Sequence, residues 1–235
     1  MLIWEITMEE EIKKPLFPVS ADSKKSLIIF IISIALIIGL TFVMWAINLV
    51  STFALRISLV LMLIVTYTTV AVVAMKLTGQ EKLLLPTKRR LWLQILIGLG
   101  IAAVLCLVIG IIPILCGQSF IGSHMDMSIG KLIIVAVEDI IFVGIGEEVV
   151  FRGYIQNQFG IWLKKFKWLS PLIAALFFGL WHIINGSLIQ VLFATAIGCV
   201  LGYSKYFIKD CTLLSVVVAH GFYDVSLTLL ACFLL

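Results

Sequence analysis

The run SLIIFIISIALIIGLTFVMWAINLV, residues 26–50, contains no charged side chain. A helix needs about 20 apolar residues to cross the hydrocarbon core of a bilayer, and this run is long enough. It is too long for the core of a secretory signal peptide, and no small-residue cleavage site follows it. We therefore expect it to remain as a membrane anchor.

Similar apolar segments recur along the whole chain. Of the 235 residues, 62% are hydrophobic and only 13% are charged, and the mean hydropathy is +1.19, far from the composition of a soluble domain. In lipid the backbone must satisfy its own hydrogen bonds, so these segments should be helices. The sequence predicts an all-α, polytopic membrane bundle of about seven transmembrane helices, at residues 26–50, 54–76, 91–115, 131–160, 169–185, 187–204 and 212–234.

The basic residues predict how the bundle is oriented. They cluster before the first predicted span and after the second, fourth and sixth: Lys24, Lys25, Lys76, Lys82, Lys88, Arg89, Arg90, Lys164, Lys165, Lys167, Lys205 and Lys209. By the positive-inside rule the N-terminus is cytoplasmic. Residues 1–25 should form a solvated cytoplasmic arm, and residues 26–235 a single membrane domain. The net charge of +4 therefore reports topology, and nucleic acid is not an expected partner.

The stretch GIGEEVVFRGY, residues 144–154, places three charges inside an apolar segment. An ionised group at mid-bilayer costs about 2.5–3.5 kcal/mol on insertion scales, so such groups usually face the bundle interior and mark function. Glu148 and Arg152 are four residues apart and can pair on one helix face. Glu147 lies about 100° around the helix from Glu148. Its partner should therefore come from another helix.

Two histidines on other predicted spans can supply that partner. His182 follows Phe178 by one helical turn on the fifth span, and His220 precedes Asp224 by one turn on the seventh. Taken alone, each histidine could be a hydrogen-bonded core residue. Together with Glu147, they predict one polar site that is built from three helices.

The chemistry of this set allows two interpretations. A desolvated carboxylate beside an imidazole can take a proton from water, while a second imidazole with a carboxylate stabilises the oxyanion formed at a peptide carbonyl. Alternatively, Glu147, His182 and His220 could bind zinc or another divalent metal. We assign no metal ligand and expect no required cofactor, but the sequence leaves this alternative open. The H-E-x-x-H and G-x-S-x-G hydrolase motifs are absent.

Three motifs in this order carry a family resemblance over about residues 130–225. The chain resembles the CPBP family of intramembrane proteases (CAAX proteases and bacteriocin-processing or Abi proteins), which is related to the type II CAAX prenyl endopeptidases. The motifs are Glu147-Glu148-x-x-x-Arg152, Phe178-x-x-x-His182 and His220-x-x-x-Asp224.

The resemblance implies a role for each residue of the site. Glu147 and His182 would activate the water, and His220 with Asp224 would stabilise the oxyanion. Glu148, Arg152 and Phe178 would support the pocket. CAAX endopeptidases usually carry Asn at the last motif position, so the role of Asp224 is an open question. An ionised Asp would repel an oxyanion, so Asp224 could be protonated, could orient His220 instead, or could point to a metal.

The preferred hypothesis is an intramembrane endopeptidase that cuts a membrane-associated peptide or protein near the cytoplasmic side. Its expected partners are membrane lipid and the peptide substrate, and its expected location is a bacterial plasma membrane. The first alternative is a bacteriocin-immunity or peptide-binding membrane protein of the same fold without turnover. The second is a transporter that uses Glu147 and the histidines as a proton relay. The lack of broken-helix repeats disfavours the transporter.

Overall fold

A computed structural model describes residues 23–48, 52–84, 90–117, 124–184 and 187–234. These residues form seven main helices and contain no strand, which confirms the predicted all-α bundle. The helices are α1 (Ser23–Asn48), α2 (Phe53–Leu77), α3 (Leu91–Leu115), α4 (129–162), α5 (Ser170–Trp181), α6 (Leu188–Phe207) and α7 (Leu213–Phe233). Short 3₁₀ turns lie at Glu81–Leu84, Lys164–Leu169 and His182–Ile184. Most of the predicted N-terminal arm, residues 1–22, lies outside the described residues.

Two of these helices contain π-helical turns. In α3 the π turn is Cys106–Ile111. In α4 two π turns, Glu138–Val143 and Val149–Ile155, flank the short α-helical piece Gly144–Glu148. A π turn holds one extra residue, which rotates every following side chain around the helix axis, and such turns are frequent at functional sites. The π turns on either side therefore help to set the directions in which the side chains of Glu147 and Glu148 point.

Five of the helices are long and apolar enough, by length and composition, to cross a membrane. Within the described ranges these spans are Lys24–Val43, Leu55–Leu77, Leu91–Leu115, Leu188–Phe207 and Leu213–Phe233. The predicted fourth and fifth spans do not meet that standard. Helix α4 carries its acidic residues within its length, and α5 has only 12 residues, about 18 Å against a hydrocarbon core of about 30 Å. These two helices hold much of the polar site.

The helices run up and down, so the bundle has two distinct ends. At one end, Gln80 Nε2 donates to Gln158 Oε1 at 2.6 Å, which joins the end of α2 to the end of α4. At the same end, Arg90 Nη1 lies 3.6 Å from Asp210 Oδ2. This ion pair joins the start of α3 to the α6–α7 connection. We call this the basic end, because the lysine-rich connections lie there. At the opposite end, the Met125 N–H donates to the Ala231 carbonyl.

Close packing sets the register between α4, α5 and α6. A Cβ on Gly198 would lie 3.1 Å from Ala175 of α5, and one on Gly202 would lie 3.1 Å from Pro171. The carbonyls of the same two glycines face α4, where they accept hydrogen bonds from Arg152 Nη2 and Gln156 Nε2, each at 3.2 Å. Because both pairs are four residues apart, one turn of α4 is matched to one turn of α6.

Helix α7 lies at the centre of the bundle and contacts α3, α4 and α6. A Cβ on Gly221 of α7 would lie only 2.7 Å from Ile140 Cα of α4. No side chain fits between the two backbones at this point. The close approach brings His220, the preceding residue, against the carboxylate-bearing turn of α4.

Candidate active site

The four predicted catalytic side chains line one cavity of about 560 Å³. Glu147 comes from α4, His182 follows the end of α5, and His220 and Asp224 lie on α7. Phe178 of α5 lines the same space. The sequence predicted this convergence from three separate helices. Glu148 and Arg152 do not line the cavity but lie directly behind it.

His220 is held through both of its ring nitrogens. Its Nδ1 lies 2.7 Å from Glu148 Oε1, and its Nε2 lies 3.2 Å from Asp224 Oδ2. Carboxylate oxygens accept hydrogen bonds, so both ring N–H groups donate when both acids are ionised. The imidazole is then a cation clamped between two anions. Asp224 thus lies within hydrogen-bond distance of His220, the contact that an orienting role would need.

Glu148 links this histidine to the buried arginine. The same Oε1 that faces His220 accepts a hydrogen bond from Arg152 Nη1 at 2.6 Å, and neither Glu148 nor Arg152 is exposed. The sequence predicted the pair with Arg152 but not the contact with His220. That contact depends on how α4 and α7 pack, and no spacing within either motif reveals it.

Glu147 is the carboxylate that remains without a close partner. Its Oε2 is buried, makes no hydrogen bond with the described residues, and lies 3.9 Å from His220 Nε2. An unsatisfied buried acceptor costs about 1–3 kcal/mol. Glu147 as a residue lines the cavity, so its carboxylate group can meet a molecule bound there. Glu148 contacts Arg152 and His220 whereas Glu147 lines the cavity; this confirms the predicted Glu148–Arg152 pair, and the catalytic roles stay predictions.

The hydrogen bond of His182 fixes which of its nitrogens faces the site. Its Nδ1 lies 2.8 Å from the Phe178 carbonyl oxygen. A carbonyl only accepts, so Nδ1 carries the proton and, in the neutral ring, Nε2 carries the lone pair. His182 is partly exposed to the cavity. It can therefore accept a proton from a molecule bound there.

Phe178 packs against all three cationic or potentially cationic groups of the site. Its ring centroid is 4.8 Å from that of His182 and 5.6 Å from that of His220, both edge-to-face. The guanidinium carbon of Arg152 lies 4.5 Å from the Phe178 centroid, within the range of a cation–π interaction. The aromatic ring therefore forms an apolar wall of the cavity beside the two imidazoles.

The side chains do not fit the metal alternative as they are arranged. A metal ligand must offer a lone pair, but both nitrogens of His220 are already engaged with carboxylates. Across the described ranges, no group of three or more His, Cys, Asp or Glu side chains converges as a ligand set. The trio Glu147, His182 and His220 therefore lines a common cavity without forming a coordination sphere.

Lys205 is a half-buried part of this network that the sequence did not reveal. Its place after the sixth predicted span indicates a loop lysine, but it lies within the last turn of α6. Its Nζ donates to the Arg152 carbonyl at 2.6 Å and to Asn157 Oδ1 at 3.1 Å. The Arg152 carbonyl belongs to the second π turn of α4, where the α-helical hydrogen-bond pattern is interrupted. In the sequence, this contact is indicated only by the position of the lysine, one turn after Gly202.

Comparison with known proteins agrees with the motif resemblance. Residues 129–226 match the family model described as Type II CAAX prenyl endopeptidase Rce1-like. No curated protein and no solved structure gives a significant match to the chain. The matched residues include all seven residues of the three motifs. Within an all-α membrane bundle, residues 129–226 are therefore similar to an Rce1-like peptidase domain, which is consistent with the CPBP resemblance of the motifs.

Proposed function

We propose that this protein is an intramembrane endopeptidase that hydrolyses a peptide bond of a membrane-associated peptide with water activated by Glu147 and His182. The observation that carries the proposal is the shared cavity. Glu147, His182, His220 and Asp224 reach it from three helices, together with an aromatic wall. The matched family gives the reaction class, and the side chains give the proposed roles.

Glu147 and His182 are the proposed proton acceptors. Glu147 and His182 both line the cavity, and the hydrogen bond of His182 Nδ1 leaves the lone pair of its Nε2 as an acceptor. A water held by both loses a proton as it attacks the peptide carbonyl. The proton is then delivered to the leaving amine, which completes hydrolysis without a covalent enzyme intermediate.

His220 is the proposed stabiliser of the oxyanion. Its fixed ring presents an N–H toward the cavity at Nε2. A preorganised donor in a low-dielectric site stabilises the charge that develops in the transition state, since it needs no reorganisation. Arg152 pairs with Glu148 and holds it in place. Asp224 releases part of its hold on Nε2 as the oxyanion forms.

The cavity walls support an apolar peptide as the substrate. Besides the polar site, the cavity is lined by apolar side chains, including Ile109, Val143, Phe193, Ile197 and Leu227. These walls would contact aliphatic or aromatic side chains on either side of the cleaved bond. A leader peptide or a bacteriocin precursor at a bacterial plasma membrane fits this description, in agreement with the family resemblance.

The test compares purified variants in liposomes. Wild type, Glu147→Gln, His182→Asn and the distant control Lys209→Gln are incubated with a library of apolar peptides, and products are identified by mass spectrometry. We expect Glu147→Gln and His182→Asn each to lower turnover by about 10²- to 10⁴-fold, the usual contribution of a general base. The control should match wild type. Saturable peptide binding by wild type without any product would instead support the peptide-binding alternative.

A chelator tests the metal alternative with the same assay. Because both nitrogens of His220 are engaged, we expect dialysis against 1,10-phenanthroline to leave wild-type turnover unchanged. Loss of turnover that is restored by added zinc would show that His220 rearranges to bind metal. That result would replace the water-activation roles given above.

A further inference from the structure

The cavity extends from the catalytic side chains toward only one end of the bundle. On α7 its lining begins at His220 and continues through Leu227 and Thr228 to Ala231, near the end of the helix. On α6 it is confined to the first half of the helix, from Ser187 at the N-cap to Ile197. We call the end where these residues lie the mouth end.

Toward the basic end, the site is closed by buried polar contacts. Glu148 and Arg152 lie behind the cavity with no exposed surface. Beyond them Gln156 bonds the Gly202 carbonyl, and Lys205 bonds the Arg152 carbonyl. These groups fill the space between α4 and α6. A peptide therefore has no path to the catalytic residues from that side of the described structure.

The two ends differ sharply in charge. The described basic residues of the basic end are Lys24, Lys25, Lys76, Lys82, Arg90, Lys164, Lys165, Lys167, Lys205 and Lys209. At the mouth end the described basic residues are Arg56, at the start of α2, and Lys131, at the start of α4. The positive-inside rule assigns the end rich in Lys and Arg to the cytoplasm. The mouth end is then extracytoplasmic.

We infer that the cavity opens away from the cytoplasm and takes its peptide from the extracytoplasmic side. The substrate class is an apolar segment that has been exported across the membrane, or is anchored with its cleavage site on the outer side. That the bound peptide is a substrate rests on the proposed function. The direction of the opening rests on geometry and charge alone. This inference differs from the cytoplasmic-side cleavage that we expect from the sequence, and the experiments below decide between the two.

The direction of the opening is tested by cysteine labelling, which does not require activity. Cys116, at the end of α3, is exposed at the mouth end, while the other four cysteines are buried or half-buried. Cys116→Ser provides the blank. On that background, Ser187→Cys places a thiol at the mouth and Lys209→Cys places one at the basic end; both positions are exposed. Spheroplasts are treated with a membrane-impermeant maleimide before and after permeabilisation.

We expect Cys116 in wild type and the thiol of Ser187→Cys to be labelled in intact spheroplasts, and that of Lys209→Cys only after permeabilisation. The reverse pattern would overturn the inference. If Ser187→Cys fails to insert, the loss of labelling from wild type to Cys116→Ser gives the same answer. Cys116 of the native chain, compared with Cys116→Ser, is therefore enough to test the direction of the opening.

A second experiment tests the direction of the opening separately from the hydrolysis reaction. The peptides that purified protein cleaves best are fused to a single-span anchor in both orientations and coexpressed with the protein. Product from the outward-facing fusion alone supports the inference, and product from the inward-facing fusion alone overturns it. If neither fusion nor any library peptide is cleaved while labelling is outward, hydrolysis is contradicted and the direction of the opening still stands.

Discussion

Glu148 serves two partners with one oxygen atom. Its Oε1 accepts from Arg152 Nη1 at 2.6 Å and from His220 Nδ1 at 2.7 Å, and the side chain is completely buried. A buried carboxylate is tolerated only when paired and hydrogen-bonded, because its desolvation costs several kcal/mol. The arginine offsets that cost, and the carboxylate in turn fixes the histidine. The neutralisation of buried Arg152 and the orientation of His220 therefore depend on the same atom, Glu148 Oε1.

Removal of Glu148 should cost both stability and activity. We expect Glu148→Ala to lower the free energy of unfolding by about 3–5 kcal/mol, because it leaves the Arg152 guanidinium buried without a counter-ion. The measurement is an SDS titration in mixed micelles, followed by tryptophan fluorescence.

The double variant Glu148→Leu/Arg152→Met separates the two effects. An apolar pair of similar volume should restore much of the lost stability, but His220 would still lack its Nδ1 partner. We expect a folded protein with little turnover. Full activity in this double variant would contradict the positioning of His220 by Glu148.

Asp224 should act by orienting His220 rather than through its charge. Its Oδ2 lies 3.2 Å from His220 Nε2, and an amide oxygen in the same place can also accept that hydrogen bond. We expect Asp224→Asn to keep most of the turnover and Asp224→Leu to lose about 10- to 100-fold, the usual effect of removing an orienting partner. Initial rates with one cleaved peptide give the comparison. Equal losses in the two variants would show that the negative charge itself is required.

At the scale of the elements, α4 is the part that the sequence describes least well. Periodicity predicts a helix over 131–160, and a helix is found over 129–162. It does not predict the π turns on both sides of Gly144–Glu148. A π turn depends on outside partners for interrupted backbone groups, such as Lys205 Nζ on the Arg152 carbonyl. Such partners come from tertiary packing and leave no periodic signal.

Close packing of α3 on α7 can be tested with two glycines of one helix. A Cβ at Gly98 would lie 2.5 Å from the Ser215 carbonyl oxygen and 2.8 Å from Val218 Cβ, whereas a Cβ at Gly100 would meet nothing within 4 Å. We expect Gly98→Ala to lower stability by about 1–3 kcal/mol through overpacking. Gly100→Ala should be neutral or slightly stabilising, because alanine favours helix. Thermal unfolding in detergent compares them, and equal effects would contradict the close approach.

For the molecule as a whole, sequence reasoning was most successful where the solvent dictates the answer. Long apolar segments predicted the helical bundle, and residues that are costly in lipid, Glu147, His182 and His220, predicted a shared cavity. The same reasoning misplaced Lys205, because a lysine near a helix end looks the same in sequence whether it faces water or reaches back into the bundle. It also could not show which way the cavity opens, since that depends on where each helix ends relative to its neighbours.

A single opening makes the whole molecule sensitive to a plug at one end. Ser187 lines the cavity near its mouth, whereas Lys209 is exposed at the closed, basic end. On the Cys116→Ser background, Ser187→Cys and Lys209→Cys are treated in liposomes with a bulky methanethiosulfonate and assayed before and after reduction. Because the peptide must pass the mouth, we expect modified Ser187→Cys to lose most of its turnover and regain it on reduction. Modified Lys209→Cys should be unaffected. Inhibition from the basic end instead would mean that a second path reaches Glu147 between α4 and α6, and that the buried contacts of Arg152 and Lys205 open during turnover.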